Sequence, residues 1–175
     1  MTAIGLTIAS AFLYIGILRV DFLGLDDPQY VVDNPWIRSF SLQNLQHIFT
    51  TPYFANYSPF HLLSYMLDYA FAGANPFVFH LSSNIWRGIV AGFVFLVALA
   101  LTGNRIVSVA ASLLFIVHPA HVEAIAWIAS RKDLVAAAFA LPSFLTYLRY
   151  RQGGANARWW YICSLALFLI AVAGK

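Results

Sequence analysis

Apolar and polar residues in this chain come in blocks, not in alternation. Thr2 to Leu18 is a first apolar run of seventeen residues, roughly 26 Å of helix at 1.5 Å per residue and at the short end of what crosses a bilayer. Arg19 ends it, and a polar stretch follows to about Asn75. Apolar runs then recur over 77–101, 106–129, 134–148 and 159–173, the third of these five spans being kinked at Pro119. The pattern predicts one all-α integral membrane domain over 1–175, with about five transmembrane helices and a long external first loop, 19–75.

That loop carries its own helix signals. Leu42, Leu45, Ile48 and Phe49 form a helical stripe suited to the membrane interface. Ser58-Pro59 reads as the start of a second short helix, which Gly73 stops. Asn75-Pro76 repeats the start signal for the span over 77–101, roughly 38 Å of helix that should project beyond the hydrocarbon. His80, Asn84 and Arg87 share one face of it, which the spacing turns toward the loop or leaves at the headgroups. Further on, Glu123, Trp127 and Arg131 recur at helical spacing, placing Arg131 over Glu123 if one helix continues, and Ser130-Arg131-Lys132-Asp133 matches a capping box.

Composition agrees. The mean hydropathy is +0.74, with 61% hydrophobic and 10% charged residues. The first run lacks a basic flank and a small-residue cleavage site, so it reads as a retained helix. One cysteine, Cys163, excludes an internal disulfide. The basic residues sit singly at helix ends, which fits a lipid bilayer and no nucleic-acid partner. Unopposed positive charge at Arg105 and over Arg149, Arg151 and Arg158 puts those turns and the N-terminus in the cytoplasm. Loop 19–75 is then periplasmic or lumenal, for a chain of a bacterial inner membrane or the endoplasmic reticulum.

Charge gathers in the loop: five of the seven acids lie between positions 21 and 68. Asp26 and Asp27 are adjacent, followed by Pro28, a pattern that also makes good turn chemistry. Three chemistries suit them with the distant block His118, His121 and Glu123. A metal site is one, although His-x-x-His-x-Glu lacks the i, i+4 ligand pair of helical zinc sites; the residues single out no cofactor and leave a divalent metal open. An ion or proton pathway through Glu123 and the histidines is the second. The third is group transfer from a lipid phosphate, with a carboxylate base and the cations Arg87, Arg131 and Lys132 near the phosphate. A non-enzymatic subunit holding a lipid phosphate or a partner protein uses the same residues.

The order Leu25-Asp26-Asp27-Pro28, Asn34-Pro35, Tyr57-Ser58-Pro59, Leu67-Asp68, Gly73-x-Asn75-Pro76 and Phe79-His80-Leu81 resembles one family. So does the run His118-Pro119-Ala120-His121-Val122-Glu123-Ala124 through Arg131-Lys132-Asp133-Leu134. They resemble the N-terminal membrane part of transmembrane, tetratricopeptide-repeat-containing proteins related to the O-mannosyltransferases of the GT-C superfamily. The resemblance implies a partial GT-C-like fold. It also implies an inverting transferase that moves a sugar, plausibly mannose, from a polyprenyl- or dolichyl-phosphate carrier to a hydroxyl on a protein acceptor. It makes Asp26-Asp27 the acidic motif, one of them the base, and sets His118, His121, Glu123 and Arg131 on the donor-phosphate side, with His80, Arg87 and Lys132 lining the site. Arg87 stands where the family more often has histidine, and Ser58 where many members have arginine. About five spans is half the number a GT-C fold uses, so the chain reads as an N-terminal portion, incomplete as an enzyme by itself.

Overall fold

In the computed structural model, which describes residues 3–54 and 56–175, every regular element is helical. Its axis is the fourth helix. In chain order come α1 (Ala3–Leu13), α2 (Leu42–Thr50), α3 (Pro59–Ala72) and α4 (Pro76–Thr102). After them come α5 (Arg105–Val117), a single turn α6 (Glu123–Ala126), α7 (Arg131–Arg151) and α8 (Ala157–Val172). Asn75 opens α4, its Oδ1 accepting from the Phe77 N–H at 3.1 Å, and Pro76 takes the first position, where no N–H is needed. Gly103 closes it in the left-handed region at φ 64°. Asn104 then caps α5 by accepting from Ile106 and Val107.

Among the described residues, α4 alone is long and apolar enough by itself to cross a membrane. The expected first span over 2–18 is shorter: α1 ends at Leu13, and a 3-10 turn, Ile15–Arg19, follows. Tyr14 makes the break, because its hydroxyl donates to the Ile116 carbonyl at 3.2 Å and its ring lies 3.9 Å from the Arg87 guanidinium carbon. The expected kinked span over 106–129 is two pieces bent by 58°. His118 is extended and caps the turn Pro119–His121, its Nδ1 accepting from the Ala120 N–H at 3.2 Å. Trp127 is extended again, ahead of a second 3-10 turn, Ile128–Ser130. Because no single helix joins them, Arg131 does not lie over Glu123. Nor does the capping box form: Ser130 has helical dihedrals, makes no cap bond, and donates to Glu123 Oε1 at 3.4 Å.

Helices α1, α5 and α7 pack around α4, and α8 pairs with α7. Small residues and single hydroxyls make these contacts, as in membrane bundles. Ser112 donates to the Ala91 carbonyl at 2.8 Å, and Ser143 to the Ser164 carbonyl at 2.8 Å. Gly88 and Gly92 let α1 approach, with Thr7 Oγ1 donating to the Gly88 carbonyl at 2.9 Å. A Cβ on Gly88 would stand 2.9 Å from the Thr7 carbonyl oxygen, which cannot swing away. Gly88→Ala is therefore expected to cost about 1–3 kcal/mol, read as a lower thermal midpoint in detergent.

The loop over 19–75 is a packed unit, not a string of interfacial helices. Tyr30, Val31, Ile37, Ile48, Leu62 and Met66 form a core that also takes in Phe79 of α4 and Ile128. Accordingly the α2 stripe divides: Leu45 and Ile48 turn into this core, while Leu42 and Phe49 stay exposed. Ser41, not anticipated as a cap, opens α2 by accepting from the Asn44 N–H at 3.2 Å. Ser58 precedes α3 as expected, but its hydroxyl turns to His61 Nδ1 at 3.5 Å instead of capping.

Candidate functional site

Where the loop unit meets the bundle, polar side chains are buried together. Arg131 opens α7 and is fully buried. Its guanidinium pairs with Asp68 of α3 and donates to the Phe79 carbonyl and, at 2.8 Å, to Ser83 Oγ of α4. It also lies over the Tyr65 ring at 4.7 Å. Tyr65 donates its hydroxyl to the Ile128 carbonyl. Three helices and the turn before α7 are thus tied through one cation. Burial pushes the Asp68 carboxyl up from its ordinary value, and Arg131 opposes that.

The two aspartates part company. Asp27 is the N-cap of a wide helical turn, Pro28–Val32, and Asp26 stands just ahead of it. Asp27 faces inward, fully buried, and accepts from the Ala129 N–H at 2.8 Å and the Leu23 N–H at 3.0 Å. Burial raises its pKa, while those N–H groups and His80 lower it. Asp26 is half-buried, and among the described residues no hydrogen bond or ion pair engages its carboxylate. The expected acidic motif is therefore one anchored carboxylate and one unengaged one.

The face His80–Asn84–Arg87 exists, and all three side chains are buried. It does not turn Arg87 toward the acidic loop. Arg87 reaches the other way, donating to the Ile116 carbonyl at 2.9 Å, to the Ser10 carbonyl and, at 3.4 Å, to Asn84 Oδ1. His80 does meet the second polar segment, with Nδ1 donating to the Ile125 carbonyl at 2.9 Å. The His118 and His121 rings meet at 5.6 Å, tilted by 57°, near the bend, His118 exposed and His121 half-buried. A cavity of about 260 Å³ opens beside them, lined by Val90, Phe115, His121, Glu123, Ser130 and Asp133. Lys132 is half-buried with no ion-pair partner among the described residues. Among those residues, no three of His, Cys, Asp and Glu converge as metal ligands.

Two residues of this cluster had no place among the predicted site residues: Asp68 and His61. Both lie on the buried face of α3, at i and i+7, with Tyr65 between them at i+4. The same helical spacing that picked out His80, Asn84 and Arg87 would have found them. His61 is fully buried between Tyr30 and Tyr65, and burial, aided by Arg131 and Lys132, drives its pKa well below 6.5. As pH falls through about 6.5 the unfolded chain takes a proton that the folded chain refuses, so stability falls with it. The thermal midpoint should drop between pH 7 and 5.5 in the native chain and change less in His61→Asn.

The arrangement is that of an apolar helical bundle with a buried, charge-paired cluster at one end. Comparison by sequence supplies named relatives. The chain is 36% identical to human protein O-mannosyl-transferase TMTC3 over 118 residues, 67% of this chain and 13% of that protein. It is 32% identical to Tmtc2 of Drosophila melanogaster over 178 residues, 93% of this chain and 18% of that protein. Against TMTC2 of Mus musculus it is 32% identical over 157 residues, 85% and 19% respectively. The chain is similar over most of its own length to these TMTC protein O-mannosyl-transferases, and it spans less than a fifth of their length. No protein-family model and no solved structure matches it.

Proposed function

We propose that this chain carries the acceptor-activating part of a GT-C-type glycosyltransferase, moving mannose from a polyprenyl- or dolichyl-phosphate carrier to a hydroxyl on a protein. The names of its relatives support the reaction class. The observation that supports a place for the chemistry is the asymmetry of the aspartates: Asp27 is consumed by backbone N–H groups, and Asp26 is left to take a proton.

In this reading the acceptor oxygen attacks the anomeric carbon opposite the phosphate. The new carbon–oxygen bond forms as the old one breaks, the hydroxyl proton passes to Asp26, and the carrier phosphate leaves with the electron pair, giving inversion. Arg131 and Arg87 are engaged within the fold, so Lys132 is the expected cation for the phosphate. The slot beside Glu123 and Asp133, where Lys175 pairs with Asp133 at 2.8 Å, offers the Glu123 carboxylate to sugar hydroxyls. Five crossings, by α1 with its 3-10 extension, α4, α5, α7 and α8, would hold the site at the periplasmic or lumenal face.

The test is transfer by the gene's full-length product in membranes from radiolabelled polyprenyl-phosphate mannose, beside nucleotide-linked mannose. Label reaching protein from the lipid donor alone is the expected result. Transfer from the nucleotide sugar alone, or from neither with folded protein, contradicts it.

A further inference from the structure

The end of the bundle away from the loop unit carries positive charge that no acid answers. There Leu96 and Ala100 of α4 line a groove of about 560 Å³ with Leu145, Leu148, Arg149 and Arg151 of α7. Arg105, which opens α5 after the turn that closes α4, and Arg158, which opens α8 with Ala157, belong to the same end. The last acid in the sequence, Asp133, lies in the first turn of α7, roughly 24 Å of helix before Arg149, and pairs with Lys175. Among the described residues neither Arg149 nor Arg151 has an ion-pair partner. Arg149 donates only to a neutral group among those residues, Gln152 Oε1 at 3.1 Å.

Helical spacing builds the groove. Leu145, Leu148, Arg149 and Gln152 recur at i, i+3, i+4 and i+7, giving α7 an apolar face that ends in cations. Leu96 and Ala100, one turn apart on α4, make the other wall, and the single methyl of Ala100 leaves room that a longer side chain would take. Cations in a last turn also complement the helix dipole, but that role needs no groove. Apolar walls rising to two unpaired guanidiniums match hydrocarbon beneath a phosphate, whose oxygens accept parallel N–H bonds from arginine. A purely apolar partner helix would instead bury both charges without a counter-charge, at a heavy desolvation cost. We propose that this groove binds an anionic diacyl phospholipid, with Arg149 and Arg151 on its phosphate and an acyl chain along the leucines and Ala100. The inference needs α4 in a bilayer and uses none of the residues of the glycosyl-transfer reading.

The experiment measures lipid bound to the gene's full-length product in detergent by native mass spectrometry, with dioleoyl phosphatidylglycerol beside dioleoyl phosphatidylcholine. The native protein should hold phosphatidylglycerol about tenfold or more tightly than phosphatidylcholine, whose added cation the arginines repel. Arg149→Gln and Arg151→Gln should each weaken phosphatidylglycerol about fivefold and leave phosphatidylcholine within about twofold. Ala100→Phe keeps both charges but fills the apolar wall, and should weaken phosphatidylglycerol by a similar factor. All three positions are exposed, so thermal midpoints within about 2 °C of native should accompany these losses. Binding that Arg149→Gln lowers and Ala100→Phe leaves unchanged is attraction to a charged surface, and overturns the groove. Displacement of the lipid by an equimolar amount of soluble glycerol phosphate makes this a free-phosphate site and overturns it too. No preference for phosphatidylglycerol in the folded native protein means that protein covers the groove, and contradicts the proposal outright.

Discussion

Arg131→Ala should be the most damaging single change to the fold, costing on the order of 3–5 kcal/mol. It leaves the Asp68 carboxylate buried without its cation, and strips partners from Ser83 Oγ and the Phe79 carbonyl. It also frees the turn that delivers the Ala129 N–H to Asp27. Thermal unfolding in detergent reads the loss. Because the cost is mainly that of the orphaned charge, the double change Arg131→Met with Asp68→Leu should recover part of it. The recovery stays partial, since the Phe79 carbonyl and Ser83 keep no replacement. A midpoint for Arg131→Ala within a degree or two of the native chain would show that the ion pair is not the lock described above.

The second large effect concerns chemistry and separates the two aspartates. Asp26→Asn removes an unengaged carboxylate and should leave the thermal midpoint within about 0.5 kcal/mol of native stability, as for a surface change. If Asp26 is the base, kcat should fall about 10²- to 10⁴-fold. Asp27→Asn should act oppositely in kind. One amide oxygen replaces two, and its NH₂ faces a backbone N–H, which costs about 1–3 kcal/mol. Loss of activity in that variant should track the loss of folded protein.

Much of this was legible in local sequence, because helix punctuation is a local property. Asn75-Pro76 and Gly103-Asn104 mark the ends of α4 within a residue of their positions, since capping needs only the adjacent N–H groups. The break at His118-Pro119 was equally visible, but its 58° bend was not, as the packing of Ala124 and Ile125 with Tyr14, Ile17 and Trp86 lies far off in the chain. The same limit applies to Arg131. Its counter-ion lies 63 positions away in the chain, and no spacing rule reaches that far. Arg87 shows the converse: the shared face with His80 was right, and helix rotation toward α1 and α5 decided where the guanidinium went. The difference between Asp26 and Asp27 depends on where Ala129 sits, a contact across 102 positions.

The most direct test of the central claim is the rate of mannose transfer from the lipid-phosphate donor by Asp26→Asn and Asp27→Asn, normalised to folded protein. The account predicts that Asp26→Asn is folded and inactive, while Asp27→Asn keeps activity in proportion to what remains folded. A fully folded, active Asp26→Asn would contradict it.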